Sequence, residues 1–154
     1  MLGASQLATW ASELPSIGMK WFGWIYGGLW NYGQWLSAHR PVTRVFVGNI
    51  SRQDAIKAIQ GVVRSRGEPS HARIEGRAGV GKTRLALEAL GPPGVREIVL
   101  YARSPERVDR DFWPWVRSKP NFRGIIVLDE CSRNDAEIAI EEVLMCGTRI
   151  LTVR

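Results

Sequence analysis

The chain has few of the residues that build metal clusters and disulfide frameworks. Only two of its 154 residues are cysteines, Cys131 and Cys146, and they show neither CxxC spacing nor the histidine pattern of a zinc site. The two histidines, His39 and His71, are too far apart in sequence to indicate a ligand pair. This scarcity predicts a reducing compartment and no structural metal, and it excludes a disulfide-stapled miniprotein.

Internal repeats and low-complexity segments are also absent. Hydrophobic residues make up 45% of the chain, charged residues 23% and aromatic residues 9%. That composition excludes collagen and a disordered chain, and it supplies enough apolar material for the core of one ordinary domain.

No run of like charge is present. Lysine and arginine number 21 against 15 acidic residues, a net charge of +6. The basic residues after Arg44 are scattered singly or in pairs, which favours a solvated mixed surface over a nucleic-acid-binding patch. The excess is compatible with nucleotide phosphates, nucleic acid or an anionic membrane surface, and it does not choose between them.

The composition changes near Arg40 and Pro41. Between Glu13 and Arg40 the only charged residue is Lys20. This stretch is crowded with aromatic residues: Trp21, Phe22, Trp24, Tyr26, Trp30, Tyr32 and Trp35. We therefore predict an aromatic-rich N-terminal helical segment over residues 1–40 and a second unit over residues 41–154.

In the second unit, apolar runs alternate with segments of helical spacing. Residues 43–49 form a short apolar run, and strands are predicted near residues 72–75, 97–102, 124–130 and 149–154. Helices are predicted from the capping box at Ser51 to about Gly67, from residue 82 to the Gly91-Pro92-Pro93 stop, after Ser104 with a kink or end at Pro114, and from an Asn134 cap through Met145. This order predicts an α/β domain, a three-layer sandwich with a mostly parallel sheet.

A glycine-rich loop follows the first of these predicted strands. Residues 76–83, GRAGVGKT, match the pattern GxxxxGK[ST] and open a predicted helix. Glycines allow backbone N–H groups to surround phosphates at the positive end of a helix. Lys82 is expected to reach the β and γ phosphates, and the Thr83 hydroxyl to hold Mg²⁺. The motif in this context predicts a P-loop NTPase fold.

Two carboxylates end the apolar strand IIVLDE. Asp129 and Glu130 are expected at the carboxyl edge of the sheet, where parallel α/β proteins bind ligands. Phosphoryl transfer requires charge neutralisation and a positioned water more than covalent chemistry. Asp129 is therefore predicted to hold Mg²⁺ and Glu130 to orient or deprotonate the attacking water.

Four segments together resemble the STAND class of AAA+-related signalling NTPases, which includes immune-receptor and bacterial antiphage modules. The segments are VFVGN, GRAGVGKTRLALEAL, IIVLDECS and RILTVR, within residues 42–154. The resemblance implies ATP or ADP with Mg²⁺, an adenine pocket at Val47 and Gly48, and a γ-phosphate sensor at Thr152 and Arg154. Asn49 departs from the family, which commonly has Arg there.

The two motifs and the resemblance together give the complete predicted site. The predicted catalytic residues are Lys82 and Glu130, from the motifs, and Arg154, from the resemblance, and the predicted metal ligands are Thr83 and Asp129. The implied cofactor-binding residues are Val47, Gly48, Gly76, Gly79, Val80, Gly81, Lys82, Thr83 and Arg84. Because the family continues with lid and winged-helix domains, we expect this chain to be a truncated part that binds nucleotide without efficient turnover.

The aromatic N-terminus has helical spacing of its own. One face would carry Trp10, Leu14, Ile17, Trp21, Trp24, Gly28, Asn31 and Trp35. Its glycines weaken a helix in water, so an external contact is expected. Four readings stay open: contact with a partner helix or an oligomer, an in-plane membrane helix, a spanning helix packed through Gly23 and Gly27, and packing on the P-loop domain. Residues 15–36 would make any membrane contact.

Three functions fit the sequence. The favoured one is an ATP-binding signalling switch in defence or signal transduction, in which nucleotide state controls homo-oligomerisation and an N-terminal effector. The alternative is an AAA+-type ATPase acting on DNA, a transposition or loader subunit, which lacks a clustered basic helix to support it. A scaffold that binds nucleotide without hydrolysis is the third. The expected location is the cytoplasm, with membrane association only through the N-terminus.

Overall fold

A computed structural model describes residues 28–39, 50–65, 71–119, 122–143 and 147–154. The strands are β1 (Leu29–Asn31), β2 (His71–Ile74), β3 (Val99–Ala102), β4 (Ile125–Leu128) and β5 (Arg149–Val153). The helices are α1 (Tyr32–Ala38), α2 (Ile50–Arg64), α3 (Lys82–Ala89), α4 (Phe112–Arg117) and α5 (Arg133–Val143). Short 3₁₀ helices span Arg96–Ile98 and Pro105–Arg107.

The strands form one sheet in the order β1-β3-β4-β5-β2. Strands β3, β4, β5 and β2 are parallel, and β1 pairs antiparallel with β3 at the edge. All residues of β3 and β4 are buried, because these strands are covered on both faces. The structure confirms the predicted α/β fold with a mostly parallel sheet.

Helices cover both faces of the sheet. On one face, Trp35 of α1, Ile59 of α2 and Leu87 of α3 pack in a shared core. On the other face, Phe112 of α4 and Ala139 of α5 pack in a second core. This arrangement is compatible with a three-layer sandwich.

Three predicted element boundaries are wrong. Residues 96–98 form a 3₁₀ helix, so β3 begins at Val99 and not at Glu97. Helix α4 begins at Phe112, and its Pro114 lies in the first turn, where the missing N–H has no helical acceptor to lose. Ser51 lies inside α2 and not before it, so it does not open a capping box.

Helix α5 is also capped differently from the prediction. The Ser132 hydroxyl, and not the Asn134 side chain, accepts a hydrogen bond from the backbone N–H of Asp135 at 3.1 Å. The carbonyl of Ser132 then accepts from Ala136 at 3.1 Å, as the first helical bond. Asn134 therefore lies within the helix, and the cap is two residues earlier.

The end of the aromatic segment belongs to the sheet. Leu29, Trp30 and Asn31 pair with Ala102, Tyr101 and Leu100 of β3. The Asn31 side chain accepts from the Gln34 backbone N–H at 2.9 Å, and Gln34 Oε1 accepts from the Asn31 N–H at 2.9 Å. This capping box begins α1 immediately after β1.

The prediction of one continuous helical face that includes Gly28 and Asn31 is therefore wrong, because Leu29–Asn31 is a strand. Trp35 is fully buried in the core that α2 and α3 share, so residues 28–39 are not separate from the residues after the predicted boundary. Residues 28–39 therefore pack on the α/β domain. Residues 1–27 and 40–49 lie outside the described ranges, together with most of the predicted helical face. Among the residues that the structure describes, no helix combines the length and the apolar character that crossing a membrane requires.

Candidate functional site

The carboxyl ends of the parallel strands surround one cleft. Strand β5 lies between β2 and β4, so the loop after β2, the end of β5 and the acidic pair after β4 meet at the same edge. The cleft has a volume of about 480 Å³. Its lining residues are Trp30, Ala38, His39, Lys82, Thr83, Tyr101, Arg103, Asp129, Glu130 and Arg154. All three predicted catalytic residues and both predicted metal ligands are in this set.

The glycine-rich loop is tightly wound. Gly79 and Gly81 have φ angles of 80° and 85°, in the left-handed region where glycine is favoured. A Cβ on Gly76 would lie 3.3 Å from Val80 Cγ2, so the two ends of the loop approach closely. Gly81 directly precedes α3, which places the first-turn N–H groups of that helix next to the loop.

Lys82 folds back over this loop. Its Nζ donates to the carbonyl oxygens of Gly76 at 2.7 Å and Arg77 at 2.8 Å. The ammonium group is therefore held at the mouth of the loop by two neutral acceptors. An anion entering the loop would compete for the same donors, and it would gain a charge-assisted hydrogen bond.

Asp129 is the centre of the polar contacts in the cleft. It directly follows the apolar strand β4, and its charged side chain is buried. Oδ2 accepts from Thr83 Oγ1 at 2.8 Å and from the Tyr101 hydroxyl at 2.9 Å. Oδ1 accepts from the backbone N–H of Glu130 at 3.0 Å. The two predicted metal ligands, 46 positions apart in sequence, are thus in direct contact.

The Thr83 hydroxyl and the Asp129 carboxylate are suited to bind Mg²⁺ together with a phosphate. A hydroxyl and a carboxylate are hard oxygen ligands, and Mg²⁺ typically takes one or two such groups plus waters and substrate phosphates. Across the described part of the chain, no group of three or more His, Cys, Asp or Glu residues is arranged to hold a metal by itself. Thr83 and Asp129 would therefore supply only some of the ligands of the ion, and phosphate and water oxygens would supply the others.

Glu130 has an unusual backbone conformation. Its φ of 47° makes it the only residue other than glycine with positive φ among the described residues. Such conformations are uncommon for side-chain-bearing residues and are concentrated at functional sites. The residue is exposed at the cleft, next to the buried Asp129. This turn separates the two carboxylates into one buried and one exposed position.

Two arginines lie on either side of the acidic pair. Arg103 follows β3 and Arg154 follows β5, while β4 with Asp129 lies between these strands. Both arginine residues are exposed and line the cleft. The backbone N–H of Arg154 donates to the Ile74 carbonyl at 3.0 Å, which continues the β5–β2 ladder to the cleft. Lys82, Arg103 and Arg154 therefore surround the carboxylates with positive charge.

Thr152 does not join Arg154 in the cleft. Its side chain is fully buried, and its Oγ1 lies 3.0 Å from Nε2 of His71 on the neighbouring strand. Successive side chains of a strand point to opposite faces, and Leu151 and Val153 pack in the core that faces α3. Thr152 therefore points to the other face, and of the two predicted sensor residues only Arg154 lines the cleft.

The remaining predicted residues lie around the loop. Val80 is 55% exposed, and Gly81 and Lys82 also line a smaller depression, of about 270 Å³, beside α2. In that depression, Arg52 Nη2 approaches the carbonyls of Val80 and Gly81 at 3.5 Å. Arg84 forms an ion pair with Glu88 one turn along α3 and does not line either cavity. Val47 and Gly48, with the departure at Asn49, lie outside the described ranges.

Sequence reasoning missed several cleft residues. Arg103 directly follows a predicted strand, so the strand-end rule that selected Asp129 would have selected it too. Tyr101 lies inside an apolar strand, and Trp30 and His39 belong to a segment that was predicted to be separate. The pairing of β1 with β3 brings Trp30 and His39 to the cleft beside Tyr101.

No protein-family model, curated protein sequence or solved structure matches the chain. The STAND resemblance therefore remains a prediction from the four sequence segments.

Proposed function

We propose that the chain binds a nucleoside triphosphate with Mg²⁺ at this cleft, and that it acts as a nucleotide-dependent switch. The observation that carries the proposal is the contact between Thr83, the last residue of GRAGVGKT, and Asp129, the first acid after β4. This contact joins three features in one site: the glycine-rich loop, the hydroxyl at the start of a helix and the carboxylate at the end of a strand.

Each residue has a role that its position supports. The N–H groups of the loop and the first turn of α3 surround the β-phosphate, and Lys82 exchanges its carbonyl acceptors for phosphate oxygens. Thr83 and Asp129 hold Mg²⁺, which neutralises developing charge on the phosphates. Glu130 accepts a proton from water or orients it, and Arg154 contacts the γ-phosphate.

The position of β1 and α1 supports a switch. Trp30, Ala38 and His39, from or adjoining these two elements, line the same cleft as Lys82 and Asp129. A change in phosphate occupancy would therefore act directly on the end of the aromatic segment. We infer that nucleotide state controls homo-oligomerisation through this segment, as the resemblance to signalling ATPases implies. ATP is the proposed nucleotide by that resemblance.

The switch is tested by the mass of the chain in solution. Light scattering should give a mass that differs between Mg–ADP and a nonhydrolysable Mg–ATP analogue, and the difference should vanish in Lys82→Ala. The measurement is repeated with mild detergent, because the aromatic residues before Gly28 could associate independently of nucleotide. A mass that ignores nucleotide in both conditions contradicts the switch.

A further inference from the structure

The Asp129 carboxylate is held in one orientation by three donors. A carboxylate offers about four lone-pair positions, and hydrogen bonds from Thr83, Tyr101 and the Glu130 backbone occupy three of them. About one position is left on this carboxylate for a metal ion or a metal-bound water. Thr83 approaches from the phosphate loop and Tyr101 from β3, so the carboxylate is fixed from two directions.

The ring of Tyr101 contacts the aromatic residues of the β1–α1 unit. Trp35 stacks on it, with ring centroids 4.5 Å apart and planes 10° apart. His39 approaches edge-on with a centroid distance of 5.6 Å, and Trp30 at 5.8 Å. One buried side chain therefore has its hydroxyl on Asp129 and its ring against the aromatic unit.

We infer that Tyr101 is a positioning residue: its hydroxyl fixes the Asp129 carboxylate for Mg²⁺, and its ring transmits metal–nucleotide occupancy to Trp30, Trp35 and His39. The inference rests on the proposed nucleotide site and adds the residue that connects this site to the aromatic segment. Tyr101 is proposed to act through its contact with Asp129 and not as a ligand of the phosphate or the metal.

The geometry of the hydroxyl supports this role. It donates to Asp129 Oδ2 at 2.9 Å, the same oxygen that accepts from Thr83, so it fixes the carboxylate on the side of the phosphate loop. Removing a group that hydrogen-bonds to a metal-binding carboxylate typically lowers metal affinity by about tenfold or more.

Tyr101→Phe is the direct test, because it removes the hydroxyl and retains the ring that stacks on Trp35. Tyr32→Phe is the matched control. Tyr32 belongs to the same aromatic cluster, 5.9 Å from Trp35 between ring centroids, and its hydroxyl donates to the Leu87 carbonyl at 2.9 Å. Each variant thus loses one hydroxyl bond, but only Tyr101→Phe loses the bond to Asp129.

Two readouts separate positioning from stability. ATP binding is titrated with Mg²⁺ and also measured in EDTA, and tryptophan emission is recorded as Mg–ATP is added. We expect Tyr101→Phe to raise the Mg²⁺ concentration at half-saturation about tenfold or more, with binding in EDTA unchanged. It should also lose the emission change that the unmodified chain and Tyr32→Phe show. Thermal unfolding of each variant verifies that it is folded.

The outcomes are distinct. Equal half-saturation in Tyr101→Phe and Tyr32→Phe overturns the positioning role, even where both variants are less stable than the unmodified chain. A normal emission change in Tyr101→Phe overturns the coupling to the aromatic unit. Absence of ATP binding by the unmodified chain overturns the proposed function, and the inference with it.

Discussion

His71 and Thr152 form a polar pair that spans β2 and β5 behind the cleft. Their side chains lie 3.0 Å apart, and Thr152 is fully buried. Burial first, and then the nearby Arg73 charge, lower the pKa of His71 below its ordinary value of 6.5. Folding therefore favours the neutral imidazole, so the stability of the fold depends on pH through this residue.

The sign of this linkage gives a pH prediction. The unfolded chain binds the His71 proton more readily than the folded chain. The contribution of neutral His71 to the free energy of unfolding is therefore fully present above about pH 6.5 and is lost as pH falls below that value. His71→Gln retains a polar partner for Thr152 but does not titrate in this range. Thermal unfolding between pH 7.5 and 5 should show a smaller loss of Tm in His71→Gln than in the unmodified chain. Parallel losses would contradict the assignment.

Single residues were predictable where a motif fixed their chemistry. Lys82, Thr83, Asp129, Glu130 and Arg154 all reach the cleft, because each follows a strand or opens a helix at the carboxyl edge. Thr152 was not predictable in the same way. Its facing depends on the side-chain alternation within β5, and its hydroxyl contacts a histidine on a strand far away in sequence.

At the scale of elements, the β1–α1 unit was misread because aromatic residues at alternating spacings of three and four resemble one helical face. The signal for a break was present in the sequence. Asn31 followed by Gln34 is a capping pair, which begins α1 there and leaves Leu29–Asn31 extended. The antiparallel pairing of these residues with β3 is a long-range contact that local patterns do not encode.

Gly28 provides the test of this docking. Its φ is +83°, and a Cβ would lie 1.8 Å from the Arg107 carbonyl oxygen in the 3₁₀ turn after β3. Gly28→Ala should lower the free energy of unfolding by more than about 2 kcal/mol, since left-handed backbone and overlap both oppose alanine.

Gly61 is the matched control for that substitution. It lies exposed in α2, and a Cβ there would meet nothing within 4 Å. Gly61→Ala should therefore stabilise the chain by about 0.5–1 kcal/mol. Urea denaturation measures both variants. Equal effects of the two substitutions would mean that β1 is not docked against the Arg107 turn.

At the scale of the whole molecule, the sequence predicted an α/β order but not the order of the strands. The alternation of helices and strands was readable from apolar spacing, and the continuous apolar run of β4 indicated a covered strand. The placement of β5 between β2 and β4, and of β1 beyond β3, follows from long-range packing. That order brings the basic strand ends, the acidic pair and the aromatic unit to one cleft.

The most direct measurement is calorimetric titration of Mg–ATP into the unmodified chain, Lys82→Ala and Lys57→Ala. Lys57 is an exposed lysine of α2 that does not line the cleft, so its replacement matches the loss of charge. We predict equal affinity for the unmodified chain and Lys57→Ala, and an affinity lower by about tenfold or more for Lys82→Ala, which loses charged hydrogen bonds to phosphate. Equal affinities for all three, or no binding by the unmodified chain, would contradict a nucleotide site at this cleft.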